Sequence, residues 1–336
     1  MSKFEAEFGP LLSRRNPIEV ATTKLGPVAY LLGYDAGKCF DEIRNQGLTD
    51  EVAKEIWIAR EEIKDIDKLT GLTNKNQFDR NLERRVEESA RLPFNERYSI
   101  AVSFADINGM KDLNTRFGHD LTDEIIRFMA NLTAANYREY DVTARRSGDE
   151  LLILQPHADI QIAMNSALRS QVTIKDNTPQ MARYLGRQLN QEITDLDLSL
   201  SIGVTELDYF NNDSADQITK RAGSAMYTAK KLVHADSDIQ AIGLSKSTDK
   251  ESGSVTMAFT YMKKDCRPEM LPELMQEVGF FIKRHRRAWI LDQIPSVRSA
   301  SMAHLASNYE YLSKEELDRL YDRINKQPNP PRSEYH

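Results

Sequence analysis

Cysteine is nearly absent: Cys39 and Cys266 are the two in a chain of 336 residues. They are far apart and match neither metal-ligand nor CxxC spacing, so neither a disulfide framework nor a cysteine zinc site is indicated and reduced thiols are expected. An excess of basic residues is missing too. The formal net charge of −6 argues against nucleic-acid binding, which needs cations to neutralise phosphates, yet leaves room for a small phosphorylated ligand. No apolar run approaches the length of a membrane span, and the opening "MSKFEAEFGPLLSRRNP" lacks the uninterrupted apolar core of a secretion signal. A cytoplasmic chain without a membrane span is expected. No internal repeat is found.

What is present is a composition of 40% hydrophobic and 29% charged residues, that of a globular protein long enough for one large domain or two to three smaller pieces. Residues 1–48 hold short apolar groups broken by glycine and proline, a small N-terminal region that is a candidate input module. A connector helix is expected over 49–66. Its Val52, Ile56, Ala59, Ile63 and Ile66 alternate spacings of four and three, which fits a short coiled-coil seam or an amphipathic helix packed on its own domain.

Over 67–245, strands and helices alternate. "YSIAVSFAD" and "LLILQP" are apolar strand runs, and "LSLSIGV" alternates Leu198, Leu200, Ile202 and Val204 with small or polar residues. "TDEIIRFMANLTAANY" puts Ile125, Ile126, Met129 and Leu132 on one helical face. Ser214 is placed to cap a helix carrying Ile218, Ala222, Ala225, Met226 and Ala229. This mixture predicts an α/β (α+β) domain with a central sheet flanked by helices. Residues 246–336 read as an extension: a polar linker "LSKSTDKESGSV", a strand "VTMAFTYM", two helical stretches around "PELMQEVGFFIKRHRRAWILDQI" and "SKEELDRLYDRI", and a disordered tail.

The chemistry gathers at acids. Asp106 ends an apolar strand, where a carboxylate packs poorly but serves a site. Asp149 and Glu150 sit at a Ser-Gly step between two strand runs, the tip of a hairpin. Three converging carboxylates repel one another unless a cation removes the conflict, and hard oxygen donors in small number suit Mg²⁺, or Mn²⁺ in its place. Lys111 and Lys230 can reach phosphate oxygens; Asn114 and Asp123 can read base edges. Each alone is weak, because a solvated Lys or Asn on a helix is common.

Five segments in order, "DKLTGLTNKNQFD", "DINGMKDLNTRFGHDLTDE", "RRSGDELLIL", "LSLSIGV" and "AMYTAKK", resemble the successive motifs of the GGDEF family, the diguanylate cyclases. The resemblance implies a palm-like nucleotide-cyclase fold. It implies condensation of two GTP into cyclic di-GMP and two pyrophosphates, in a homodimer whose two active sites face each other. By matching position, Asp106 and Glu150 become metal ligands with the backbone carbonyl of Ile107. Asp149 lies at the metals and the attacking hydroxyl, Asn114 and Asp123 at guanine, and Lys111 and Lys230 at the phosphates. "REYD" matches the family's RxxD motif, so Arg138 and Asp141 are implied to bind cyclic di-GMP as a product inhibitor.

The chain also departs from the pattern. Its turn is Ser147-Gly148-Asp149-Glu150-Leu151, with serine in place of the first glycine. A Cβ there is costly only if the position needs φ > 0; Gly148 keeps the permissive residue, and the Ser147 hydroxyl can donate to a phosphate. Gly109-Met110, Thr115, Thr122 and Gly223 are further departures, and His234 replaces a second basic residue at the phosphates. The segment around "VTIKDNTPQ" reads as an enlarged loop. Three readings follow: an active cyclase; a non-catalytic module that binds cyclic di-GMP or GTP and signals through a regulatory protein partner; and, weaker, a cyclase for another dinucleotide, against which Asp123 counts. "IKRHRRAW" is a solvated basic helix end or a contact for an acidic partner or membrane surface.

Overall fold

A computed structural model describes residues 3–8, 64–93, 96–208, 213–247 and 254–292. Most of the expected input region and connector, and the helix "SKEELDRLYDRI" with the tail, lie outside them. So do the side chains of most of "IKRHRRAW".

Seven strands form one sheet: β1 (Thr73–Asn74), β2 (Ile100–Ile107), β3 (Val142–Ser147), β4 (Glu150–Pro156), β5 (Leu200–Glu206), β6 (Ile239–Ser247) and β7 (Ser254–Met262). Their order is β1-β3-β4-β2-β5-β6-β7, parallel at β1/β3 and β5/β6 and antiparallel elsewhere. Central β2 is buried along its whole length because helices cover both faces, which is why "IAVSFADI" reads as a continuous apolar run. Helices α1 (Lys3–Phe8), α3 (Met110–Ala135), α4 (Ile160–Leu189) and α6 (Leu271–Asp292) share a core with one face. On the other lie α2 (Lys75–Ala90) and α5 (Ala215–Ala235). The predicted α/β class holds, and the apolar stripes of α3 and α5 are buried as their spacing predicts.

Two glycines set the height of α5 over the sheet. A Cβ on Gly203 would stand 2.0 Å from the backbone nitrogen of Met226, and one on Gly243 would stand 1.9 Å from the carbonyl oxygen of Ala225. The helix backbone therefore rests directly on β5 and β6, and Ser214 with Gln217 closes its first turn as a reciprocal capping box.

The loop expected around "VTIKDNTPQ" is instead the middle of α4, a 30-residue helix with Pro179 inside it. Asp-Asn-Thr-Pro has the local chemistry of a turn, but Ile174, Thr178, Met181 and Leu185 form a buried stripe at helical spacing. The Asn177 and Thr178 side chains bond back to the carbonyls of Thr173 and Ile174, at 2.8 Å each. Tertiary burial thus overrides a local breaker. At the other end of the chain the boundary expected at 245/246 falls inside β6. The strand expected at "VTMAFTYM" is β7, paired with β6 along its whole length.

The N-terminal helix α1 docks on this frame through residues in which no function is legible. Phe4 and Phe8 are fully buried. Phe8 lies 5.0 Å from Phe128 on α3 and 5.2 Å from Tyr184 on α4, ring centre to ring centre, and Arg127 covers Phe4. Glu7 pairs with Arg187. Phe8→Ala is expected to lower unfolding free energy by about 1–3 kcal/mol, less than a rigid core site because a six-residue helix can undock. Denaturant melts would read the loss, and hydrogen exchange should rise in α3 and α4.

Candidate active site

The antiparallel register of β2 and β4 sets Asp106 directly opposite Glu150. Directly opposed residues share a face. Phe104 and Leu152, two positions along each strand, belong to the core under α2 and α5, so both acids look toward α5. Lys230 comes down from α5, and its Nζ donates to Oδ1 of Asp106 at 2.5 Å. Asp106 is 6% exposed. Burial pushes its carboxyl above the ordinary range; Lys230 opposes the shift, and the neighbouring charges of Asp149 and Glu150 add to it.

The hairpin between β3 and β4 answers the question about its first glycine. Gly148 has φ +52° and is the turn's sole residue with positive φ, the φ pattern of a type II′ turn. Ser147 lies on the strand side, so its Cβ introduces no strain, and its hydroxyl donates to Oε2 of Glu150 at 3.0 Å. The carbonyl of Asp149 accepts from the N–H of Ile107 at 3.2 Å, tying the turn to the end of β2. One residue earlier, where the β3/β4 register shifts, Arg146 donates to the same Glu150 oxygen at 2.5 Å. Sequence reading passed over Arg146.

Helix α3 is preceded by Gly109, its N-cap, in the left-handed conformation and breaks at Gly118, φ +76°. Lys111 and Asn114 precede the break and Asp123 follows it; Lys111 and Asp123 are exposed, Asn114 half-buried. Thr122, a departure from the motif, is buried and bonds back to the Gly118 carbonyl at 2.7 Å, bracing the kink. Asn108, also unread, exchanges side-chain bonds with Ser199 (3.0 Å) and Ser201 (2.7 Å), locking the β2–α3 junction to β5.

Arg138 and Asp141 stand at the opposite end of β3, about 20 Å from the turn at 3.3 Å per residue. The Arg138 N–H donates to Asp141 Oδ2 at 2.9 Å, and the guanidinium donates to the Tyr140 hydroxyl at 2.6 Å.

Among the described residues no three His, Cys, Asp or Glu side chains form a metal cage. Asp106 and Glu150 nonetheless suit Mg²⁺, which takes one or two carboxylates and completes its shell with water and substrate phosphate. Among the described residues no helix is long and apolar enough to cross a membrane.

Residues 64–234 match the family model described as diguanylate cyclase, GGDEF domain. The response regulator PleD of Caulobacter vibrioides is 29% identical over 164 residues, 49% of this chain and 33% of PleD. The diguanylate cyclase VdcA of Vibrio cholerae is 28% identical over 171 residues, 49% of this chain and 44% of VdcA. The chain thus spans less than half the length of these relatives. Among solved structures, the GGDEF domain of DgcB from Caulobacter crescentus, in complex with c-di-GMP, is 23% identical. That likeness covers 50% of this chain and 89% of DgcB's, with a TM-score of 0.45. With the ordered motifs and a family match over about half its length, the chain belongs to the GGDEF-domain family of diguanylate cyclases.

Proposed function

We propose that this chain is a homodimeric diguanylate cyclase that converts two GTP into cyclic di-GMP and two pyrophosphates. The observation that carries this reading is the pairing of Asp106 with Glu150 on the sheet face beneath Lys230. Each nucleotide's 3′-oxygen forms a bond to the α-phosphorus of the other, the bond to the β-phosphate bridging oxygen breaks, and the hydroxyl proton is released. A divalent cation held by Asp106, Glu150 and the Ile107 carbonyl would supply charge neutralisation at the phosphates. Lys111 and Lys230 hold the triphosphate. Asn114 and Asp123, on either side of the Gly118 kink, hold guanine, and Asp149 faces the attacking hydroxyl. Arg138 and Asp141 bind the product at the far end of β3.

Purified protein stripped of copurified nucleotide, given GTP and Mg²⁺, should form cyclic di-GMP, resolved by mass. Arg138→Ala should leave turnover intact while weakening inhibition by added product about tenfold or more, as loss of a bidentate charged contact implies. A second reading, a receptor without catalysis, draws on the engagement of Glu150 by Arg146 and Ser147. Absence of product, with cyclic di-GMP still bound through Arg138, would establish it in place of the first.

A further inference from the structure

Both paired carboxylates carry an internal cation. Lys230 holds Asp106, while Arg146 and the Ser147 hydroxyl converge on one oxygen of Glu150. The Arg146 guanidinium sits 5.4 Å from the centre of the Phe104 ring, on the face that carries both acids, and its side chain is 38% exposed. It emerges where the register slips between Arg145 and Ser147, so no residue of β4 stands directly opposite it. A group lying over a ring and half in solvent can move a short way without disturbing the core.

We propose that Arg146 is a resident counter-cation that occupies the cation seat at Glu150 and moves to a nucleoside triphosphate when a divalent ion arrives. The inference rests on the reading of Asp106 and Glu150 as cation ligands. A divalent ion at Glu150 must bind a carboxylate whose Oε2 already has two donors, and it must do so beside a positive guanidinium. Both effects oppose the ion on its own. A triphosphate removes the opposition, because its oxygens accept the displaced guanidinium, whose planar fork matches phosphate geometry. Ion and nucleotide should therefore bind with positive coupling, each promoting the other.

The test is Mn²⁺ binding to the full chain followed by electron paramagnetic resonance, with and without a non-hydrolysable GTP analogue. The wild-type chain should bind Mn²⁺ weakly alone and at least about tenfold more tightly with the analogue. Arg146→Gln should tighten nucleotide-free Mn²⁺ binding about fivefold, the upper range for an exposed ion pair, and weaken the analogue. Arg146→Lys should restore the weak binding. Wild-type Mn²⁺ affinity in Arg146→Gln would overturn the proposal. Glu150→Gln separates the two failures. If it abolishes Mn²⁺ binding while Arg146→Gln changes nothing, the counter-cation is wrong and the ligand reading stands. If it leaves Mn²⁺ binding with the analogue unchanged, Glu150 is no ligand and both fall.

Discussion

Asp106→Asn is expected to reduce cyclic di-GMP formation by at least about a thousandfold, the loss when a metal-bound charge at transferring phosphates is removed. The same substitution should leave the melting temperature unchanged or raised. Asp106 is buried and its carboxyl titrates above 3.8, so the folded state holds the proton more tightly than the unfolded chain. Between 3.8 and that raised value the folded state binds more protons, and wild-type stability falls as pH rises. Asparagine has no such proton, so its advantage should grow across that window and level off above it. Lys230 is 28% exposed and can hydrate once its partner is neutral. Turnover assays and thermal melts from pH 4 to 8 would check both halves. A melting temperature several degrees below wild type at neutral pH would show instead that the Asp106–Lys230 pair stabilises the fold.

Arg221→Met should lower unfolding free energy by about 3–5 kcal/mol, the effect of removing one partner from a buried ion pair. Arg221 and Asp213 are 8% and 4% exposed and joined by two bonds, of 2.6 and 2.5 Å. Arg221 also donates to the Glu206 carbonyl at 3.0 Å, while Asp213 accepts from the Asp208 N–H at 2.7 Å. The network ties the end of β5 to the first turns of α5. Methionine would leave the Asp213 carboxylate buried without its cation. Adding Asp213→Asn removes that charge yet keeps an acceptor for Asp208, and should recover most of the loss. Denaturant melts of the single and double variants decide it; a loss below about 1 kcal/mol for Arg221→Met would mean the carboxylate reaches water. Because α5 carries Lys230, the single variant should also turn over more slowly.

The legible parts of this protein were those in which local pattern and chemistry coincide. The apolar runs of β2 and β4 name central strands, and Ser214 names the start of α5, because a capping hydroxyl and the helical stripe behind it are neighbours in the chain. Asp106, Asp149 and Glu150 stand out because acids at the edges of apolar runs have no packing role. The illegible parts depend on partners remote in sequence. The turn chemistry of "KDNTP" is outweighed by the buried stripe of α4. Arg221 looks like a surface arginine until Asp213 is seen against it, and Phe4 and Phe8 acquire a role only against α3 and α4.

The sequence by itself determined the fold class and the family and singled out the acids of the candidate site, since each is written in periodicity and in motif order along the chain. The tertiary structure alone decided what those acids meet. Strand register placed Asp106 opposite Glu150, glycines at 203 and 243 lowered α5 until Lys230 reached Asp106, and a register slip turned Arg146 onto Glu150. Ion pairs act across a few ångströms of space whatever the separation along the chain, and pattern along the chain carries no record of that distance.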